Sequence, residues 1–303
     1  CVTFTWMQLC NRLLQMTGNS LYADYMETAI YNALMASLKA DASQIAKYSP
    51  LEGWRHEGEE QCGMHINCCN ANGPRAFAMI PQFAYQVQDD CVRVNFYAPS
   101  EAELVLPGKK PVRLKQTTDY PQTDQIEIEV DPAKETAFTI ALRIPAWSKI
   151  AVVSVNGQPQ DGVLQGAYLP VNRKWKKGDR ITVKLDLRAR LVERNQAQAI
   201  VRGPVVLARD SRFGDGFVDE ASVVVSKDGY VELTPVKAPG FAWLAFTAPM
   251  VLGTDLESNR APKQIHFCDF ASAGNTWDKT QRYRVWLPKT LNVMHSPYRP
   301  YNQ

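Results

Sequence analysis

Long apolar stretches are missing from this chain: no uninterrupted hydrophobic run approaches the ~20 residues that a membrane-spanning helix requires. No membrane partner is therefore expected. An excess of charge of one sign is missing too. The 303 residues carry 34 Lys and Arg against 31 Asp and Glu, a formal net charge of +3, and no long basic run occurs. That balance lacks the electrostatic footprint by which nucleic acid is held, so no nucleic-acid partner is expected either. Cysteine is sparse, at positions 1, 10, 62, 68, 69, 91 and 268. An odd number spread along so long a chain does not form a disulfide framework. There is no internal repeat and no low-complexity segment. What remains, 45% hydrophobic and 21% charged residues, is ordinary for a soluble globular protein long enough for a large core and two or three domains.

The periodicity divides the chain. Val2, Phe4, Trp6, Met7, Leu9, Cys10, Leu13 and Leu14 form an amphipathic pattern over residues 1–17, stopped by Thr17-Gly18-Asn19-Ser20. Asn19 or Ser20 is the expected cap of a second helix over about residues 21–38, where Tyr22, Met26, Ala29, Ile30, Ala33 and Leu34 mark one buried stripe. Residues 41–72 hold no sustained period, and a loop of that length is usually functional. A third helix is expected over about residues 74–87, with Pro81 kinking it or ending it early. At Asp89-Asp90 the period changes from helical to alternating. Val92, Val94 and Phe96, then Ile126, Ile128 and Val130, then Phe138, Ile140, Leu142 and Ile144 read as strands. Asn156-Gly157 and Lys177-Gly178-Asp179 are turn signals between further strands. Short alternating strands with tight turns describe an antiparallel sandwich. Past Arg194 the signal weakens, with residues 223–225, 230–233, 241–246 and 283–287 as strands of a second sheet region.

Chemistry concentrates in Gln61-Cys62-Gly63-Met64-His65-Ile66-Asn67-Cys68-Cys69-Asn70-Ala71-Asn72-Gly73-Pro74-Arg75. Adjacent cysteines are strained as partners in one disulfide, but their sulfurs can reach one metal ion if the backbone turns there. Asn70 to Pro74 are expected to supply that turn and Arg75 to open the third helix. Cys1 offers a third sulfur, and thiolate is the soft ligand that zinc prefers. Cys62 is a spare ligand or a plain loop thiol. Cys10, Cys91 and Cys268 lie among apolar neighbours and read as buried small hydrophobes.

The pattern Cys68-Cys69-Asn70-x-Asn72-Gly73-x-Arg75, preceded by Tyr48-Ser49-Pro50-Leu51-Glu52, resembles the active-site loop of glycoside hydrolase family 127, best known for β-L-arabinofuranosidases. The resemblance continues in Leu142-Arg143-Ile144-Pro145-Ala146-Trp147-Ser148, in Tyr168 to Asp179 with Arg173 and Trp175, and in Arg202-Gly203-Pro204-Val205-Val206. It implies a mixed α and β chain: the C-terminal helices of an (α/α)6 barrel over residues 1–88, then antiparallel β-sandwich at 89–190 and a second sandwich or extension at 191–303. It implies a Zn2+ cofactor on Cys1, Cys68 and Cys69, with a glutamate two residues before Cys1 as fourth ligand. Cys68 takes the place of the nucleophile in a retaining glycosidase, and His65 and Arg75 are expected to contact substrate. The acid/base glutamate lies upstream of the first zinc cysteine, outside this chain.

A chain starting at Cys1 in mid-helix reads as part of a longer protein whose localisation signals lie elsewhere. A soluble bacterial-type protein, cytoplasmic or periplasmic, is expected. Prolines follow the cysteine pair in the commoner family loop, whereas Asn70-Ala71-Asn72-Gly73 stands here, which leaves the sugar open. Within the chain, Glu52, Glu57, Glu59 and Glu60 offer carboxylates, although such a run is ordinarily a solvated loop face. Trp54, Arg55 and His56 have the composition of a sugar subsite, whereas Trp147 and Trp175 read as sandwich core. The expected partner is a carbohydrate, an oligosaccharide or glycoconjugate, and a homodimer is compatible with the sequence. Two other readings compete: a non-catalytic carbohydrate-binding sandwich with a structural zinc site, and an interaction domain without metal.

Overall fold

The computed structural model describes residues 1–58, 68–253 and 261–290. Few helices and many antiparallel strands form two compact units, one of Cys1–Met35, Glu59–Leu187 and Gly203–Val205, the other of Ala36–Gly58, Arg188–Arg202 and Val206–Gln303. Among the described residues, no helix is long and apolar enough to cross a membrane.

The first unit begins with helix α1 (Val2–Thr17), which buries Phe4, Met7, Cys10 and Leu14 at helical spacing. It stops at Gly18, whose left-handed backbone lets its N–H reach the Leu14 carbonyl. The capping oxygen for helix α2 (Leu21–Ala29) comes from Asn19, which accepts the Leu21 N–H at 3.0 Å. Ser20 instead donates to the Gly166 carbonyl. The expected single helix to residue 38 changes character. Ile30–Leu34 is π-helical and Met35–Ser37 a 3₁₀ turn. Asn32 shows why, since its side-chain amide donates to the Thr28 carbonyl at 2.7 Å, where the regular i→i−4 backbone bond would end.

Helix α3 (Cys68–Ala84) corrects the expected third helix at both ends. It starts six residues early and runs through Gly73, Pro74 and Pro81. Each proline removes one backbone bond, but Ala76 and Phe83 are buried with Phe4, Met7 and Met26, and that packing holds the helix together. It also ends early, because Tyr85–Gln88 is already a strand paired with Cys91–Val94 around the Asp89-Asp90 turn.

The sandwich has two sheets. One runs in the order Ala167–Trp175, Thr136–Ile144, Cys91–Val94, Tyr85–Gln88, with one parallel pair between Cys91–Val94 and Thr136–Ile144. The other runs Ser100–Leu106, Lys110–Thr118, Gln125–Pro132, Asp179–Lys184, Val152–Val155, Gln158–Pro159. Alternate residues face inward into one core that includes Val92, Ile126, Ile128, Ile140, Trp147 and Trp175. Asn156-Gly157 makes the tight turn with both residues at positive φ. Gly203 is also at positive φ, and a Cβ there would in addition meet the Leu187 side chain at 2.5 Å.

The helices are clamped to this sandwich by Arg143, which is fully buried. Its guanidinium pairs with Asp24 and, at 2.7 Å, with Glu27. Asp24 also accepts the Ala146 N–H, and Tyr120 donates to Glu27. Burial disfavours the Arg143 charge, but the two carboxylates outweigh it and hold the guanidinium protonated.

At the far end of the sheets Asp179 accepts from Asn156 and from the Lys176 N–H, while Asp131 accepts from Arg113 and the Gly178 N–H. Burial pushes both carboxyls up, yet these donors outweigh it and hold them below the usual range. The unfolded chain therefore binds protons more readily than the folded one in acid. Their stabilisation is complete above the unfolded pKa of about 3.9 and is lost as pH falls through the depressed folded values. Melting curves between pH 6 and about pH 2 should accordingly show a steeper acid loss for wild type than for Asp179→Asn. Parallel curves would remove Asp179 from that role.

The second unit is one large antiparallel sheet, with a main path of Ser222–Val224, Ala245–Leu252, Lys263–Asp269, Val205–Asp210, Ala197–Arg202, Ala189–Arg194 and Tyr230–Val231. The strand expected at 241–246 starts only at Ala245, because the Ala242 N–H closes a turn onto the Pro239 carbonyl. The core of this unit contains Arg55, which is fully buried. It donates to the carbonyls of Ala36, Phe270 and Ala271 and stacks between Phe270 and Tyr283. That corrects its reading as a sugar contact, since a guanidinium spent on three carbonyls is not offered to a ligand. Glu52 pairs with Arg284 at 2.6 Å.

Candidate functional site

Cys1 immediately precedes α1, and Cys68 and Cys69 open α3. The two helices share a core of Phe4, Met7, Ala76 and Phe83, and this packing brings their N-terminal ends together. The three sulfurs lie within 4.8 Å of one another. Cys1 Sγ is 3.0 Å from Cys68 Sγ and 3.9 Å from Cys69 Sγ, although Cys68 stands 67 residues away in the chain. Cys1 and Cys68 reach solvent and Cys69 is buried.

The donor set suits a metal. Zinc binds thiolate at ~2.3 Å, and a tetrahedral arrangement then separates sulfurs by ~3.8 Å. The 3.9 Å pair has that spacing already, and the 3.0 Å pair would open by less than an ångström. Among the described residues the cluster holds no carboxylate.

Arg75 lies on the second turn of α3 rather than opening the helix, and it is exposed. Its guanidinium sits 5.7 Å from the Phe4 ring centre and reaches Asn72 Oδ1 at 3.5 Å. Asn72 in turn donates to Cys1 Sγ at 3.2 Å. Sequence reasoning spent Asn72 on a turn and missed this bond. Its spacing of four from Cys68 was the available signal, and only a helix makes that spacing mean proximity. His65 and Cys62 lie outside the described residues.

The other cysteines stand apart. Cys10 and Cys268 are buried, and burial raises both thiols above their ordinary value. Cys91 is only half buried, which corrects the expectation that it is core. Trp147 and Trp175 are both in the sandwich core, and Trp175 donates its indole N–H to the Phe138 carbonyl.

Comparison with known proteins gives a consistent result. The family described as "Beta-L-arabinofuranosidase, GH127 catalytic domain" matches residues 1–82, and "Beta-L-arabinofuranosidase, GH127 middle domain" matches residues 91–187. A non-reducing end beta-L-arabinofuranosidase of Bifidobacterium longum subsp. longum is 25% identical over 233 residues, 68% of this chain and 34% of that protein. The crystal structure of a GH127 beta-L-arabinofuranosidase from Geobacillus stearothermophilus T6 superposes with a TM-score of 0.76 at 21% identity, over 94% of this chain and 49% of that one. A GH127 beta-arabinofuranosidase superposes with a TM-score of 0.78 at 24% identity, over 96% of this chain and 49% of that one. The chain thus spans a third of the curated relative and about half of each of these solved structures.

Proposed function

Because the chain belongs to glycoside hydrolase family 127, we propose that it is the C-terminal part of a retaining glycoside hydrolase that releases a terminal sugar, β-L-arabinofuranose or a related one, from plant-type glycans. The observation that carries this reading is the convergence of three sulfurs, from Cys1, Cys68 and Cys69, at the joint N-termini of α1 and α3. Residues 1–88 would then be the last helices and active-site loop of an (α/α)6 barrel, with sandwich at 89–190 and 191–303. A second stripe on α1 supports the barrel. Val2, Trp6, Leu9 and Met16 are exposed on the face opposite the buried one, as suits a helix with neighbours on both sides.

In this scheme Cys1, Cys68 and Cys69 hold Zn2+, which when bound keeps a coordinated thiol deprotonated at neutral pH. Cys69, the buried one, anchors the site. Cys68, at the first turn of α3 and more accessible than Cys69, would attack the anomeric carbon of the sugar with its Sγ. A C–S bond forms as the C–O bond to the aglycone breaks, and the leaving oxygen takes a proton from a general acid. Water, giving its proton to the same group now acting as base, then displaces the sulfur from the opposite face, and the two inversions together retain configuration. Arg75 and His65 are assigned to the substrate, with Arg75 also bracing Asn72. A non-catalytic sandwich with a structural zinc is the competing reading. The two differ in coordination: a structural site is closed by four protein ligands, whereas a catalytic one keeps a position open.

Metal analysis of the purified protein tests the centre. Wild type should bind about one zinc per chain, and Cys69→Ala should lose most of it, having lost one of the ligands. Cys10→Ala, which alters only packing in the helical core, should keep it. Equal metal content in the two variants would show that the three cysteines do not form a zinc site.

A further inference from the structure

Cys1 and Cys68 pose a problem that burial does not solve. Both are more accessible than the buried Cys69, and their sulfurs lie 3.0 Å apart. The proposed function gives them different work, Cys1 as ligand only and Cys68 as nucleophile. The difference should therefore be written in what surrounds them.

We propose that Asn72 is a positioning residue that confines Cys1 to the ligand role, by donating an amide hydrogen bond to its sulfur, and that Arg75 holds the Asn72 amide in the orientation this requires. The inference rests on the family 127 reading of the cluster. On helix α3 Cys68, Asn72 and Arg75 stand at i, i+4 and i+7, one face of the helix. From that face the Asn72 amide reaches Cys1, on the neighbouring helix, at 3.2 Å. An asparagine amide is ambiguous by shape alone, because its oxygen and nitrogen are interchangeable in outline. Arg75 removes the ambiguity. A guanidinium only donates, so the end of Asn72 facing it at 3.5 Å must be the oxygen, and the end facing Cys1 must be the nitrogen. Arg75 is itself anchored over Phe4, three residues after Cys1 on the adjoining helix. The Asn72–Arg75 pair thus spans the junction of α1 and α3.

A hydrogen bond to a thiolate draws electron density from the sulfur. It stabilises the anion as a ligand and weakens it as a nucleophile, in the way that outer hydrogen bonds tune other metal-bound groups. The buried Cys69 needs no such control, since access already limits it. Cys1, more accessible and beside the reacting sulfur, does.

Site-resolved alkylation reads this directly. The zinc-loaded protein is treated with iodoacetamide and the rates at Cys1 and Cys68 are followed by peptide mass spectrometry, with zinc content and circular dichroism alongside. Wild type should modify Cys68 faster than Cys1. In Asn72→Ala the Cys1 rate should rise roughly five-fold, the scale of one hydrogen bond, with the Cys68 rate unchanged. Asn72→Gln, which keeps an amide, should return part of the protection. Arg75→Gln should raise the Cys1 rate in the same direction by less, and serves if the alanine variant misfolds. An unchanged Cys1 rate in both Asn72→Ala and Arg75→Gln overturns the inference and makes the pair a brace between helices. Faster modification of both cysteines together also overturns it, because that is metal loss rather than selective control. If wild type binds no zinc, the function proposed above has failed separately. The same rates measured on the metal-free protein then decide whether Asn72 protects Cys1.

Discussion

Under the proposed function, Cys68→Ser in the full-length enzyme should lower glycoside turnover by roughly 10³-fold or more, the scale on which removal of a covalent nucleophile acts. Serine keeps the shape of the side chain, and the sandwich core lies apart from it, so the fold should be retained. The alcohol is a weaker nucleophile, and it is also a poorer zinc ligand. Loss of rate by itself therefore does not separate the two roles of this sulfur. Labelling does. Wild type treated with an electrophilic analogue of the sugar should carry the adduct on the peptide containing Cys68, with fragmentation placing it on that sulfur. Stoichiometric labelling of a glutamate instead would leave Cys68 a ligand and restore the ordinary two-carboxylate scheme.

Arg143→Met should destabilise the protein by about 3–5 kcal/mol, the cost of removing one partner from a buried ion network. Arg143 is fully buried between Asp24 and Glu27, and methionine would leave both carboxylates in an apolar surrounding without their counter-ion. The urea midpoint should fall accordingly. Adding Glu27→Gln to that variant should recover part of the loss, since a neutral amide has less charge to bury. A change below about 1 kcal/mol would mean that water reaches the site and screens the pair.

These two residues show how unevenly the chain's motifs divide between chemistry and architecture. Among the described residues, the cysteine stretch is the one of the four carrying the family resemblance that reaches the three-sulfur cluster. The stretch around Arg143 and Ala146 docks α2 onto the sandwich. Asp179 ties two turns together with Asn156, and Gly203 keeps clear of Leu187. From sequence alone Arg143 and Arg75 carry no mark that separates them, because a buried arginine and a substrate-binding one are written with the same letter. Arg55 was open to the same confusion and proved to be core.

What the sequence determined by itself was local or combinatorial. Apolar positions three and four apart placed α1, alternation placed the strands of the first sandwich, and Asn156-Gly157 placed its hairpin, since each depends on neighbours a few residues away. The soft donors Cys1, Cys68 and Cys69 were legible as a group through the family resemblance, since the adjoining pair by itself is a weak signal. Only the tertiary structure decided that α3 starts at Cys68 and runs through Gly73-Pro74. The local preference of Asn, Gly and Pro for a turn was outweighed by burial of Ala76 and Phe83 against α1 and α2. That one shift carries the rest. It puts the paired cysteines at a helix N-terminus and turns Asn72 toward a sulfur 71 residues away. No window of sequence holds that contact, because it exists only when two helices pack.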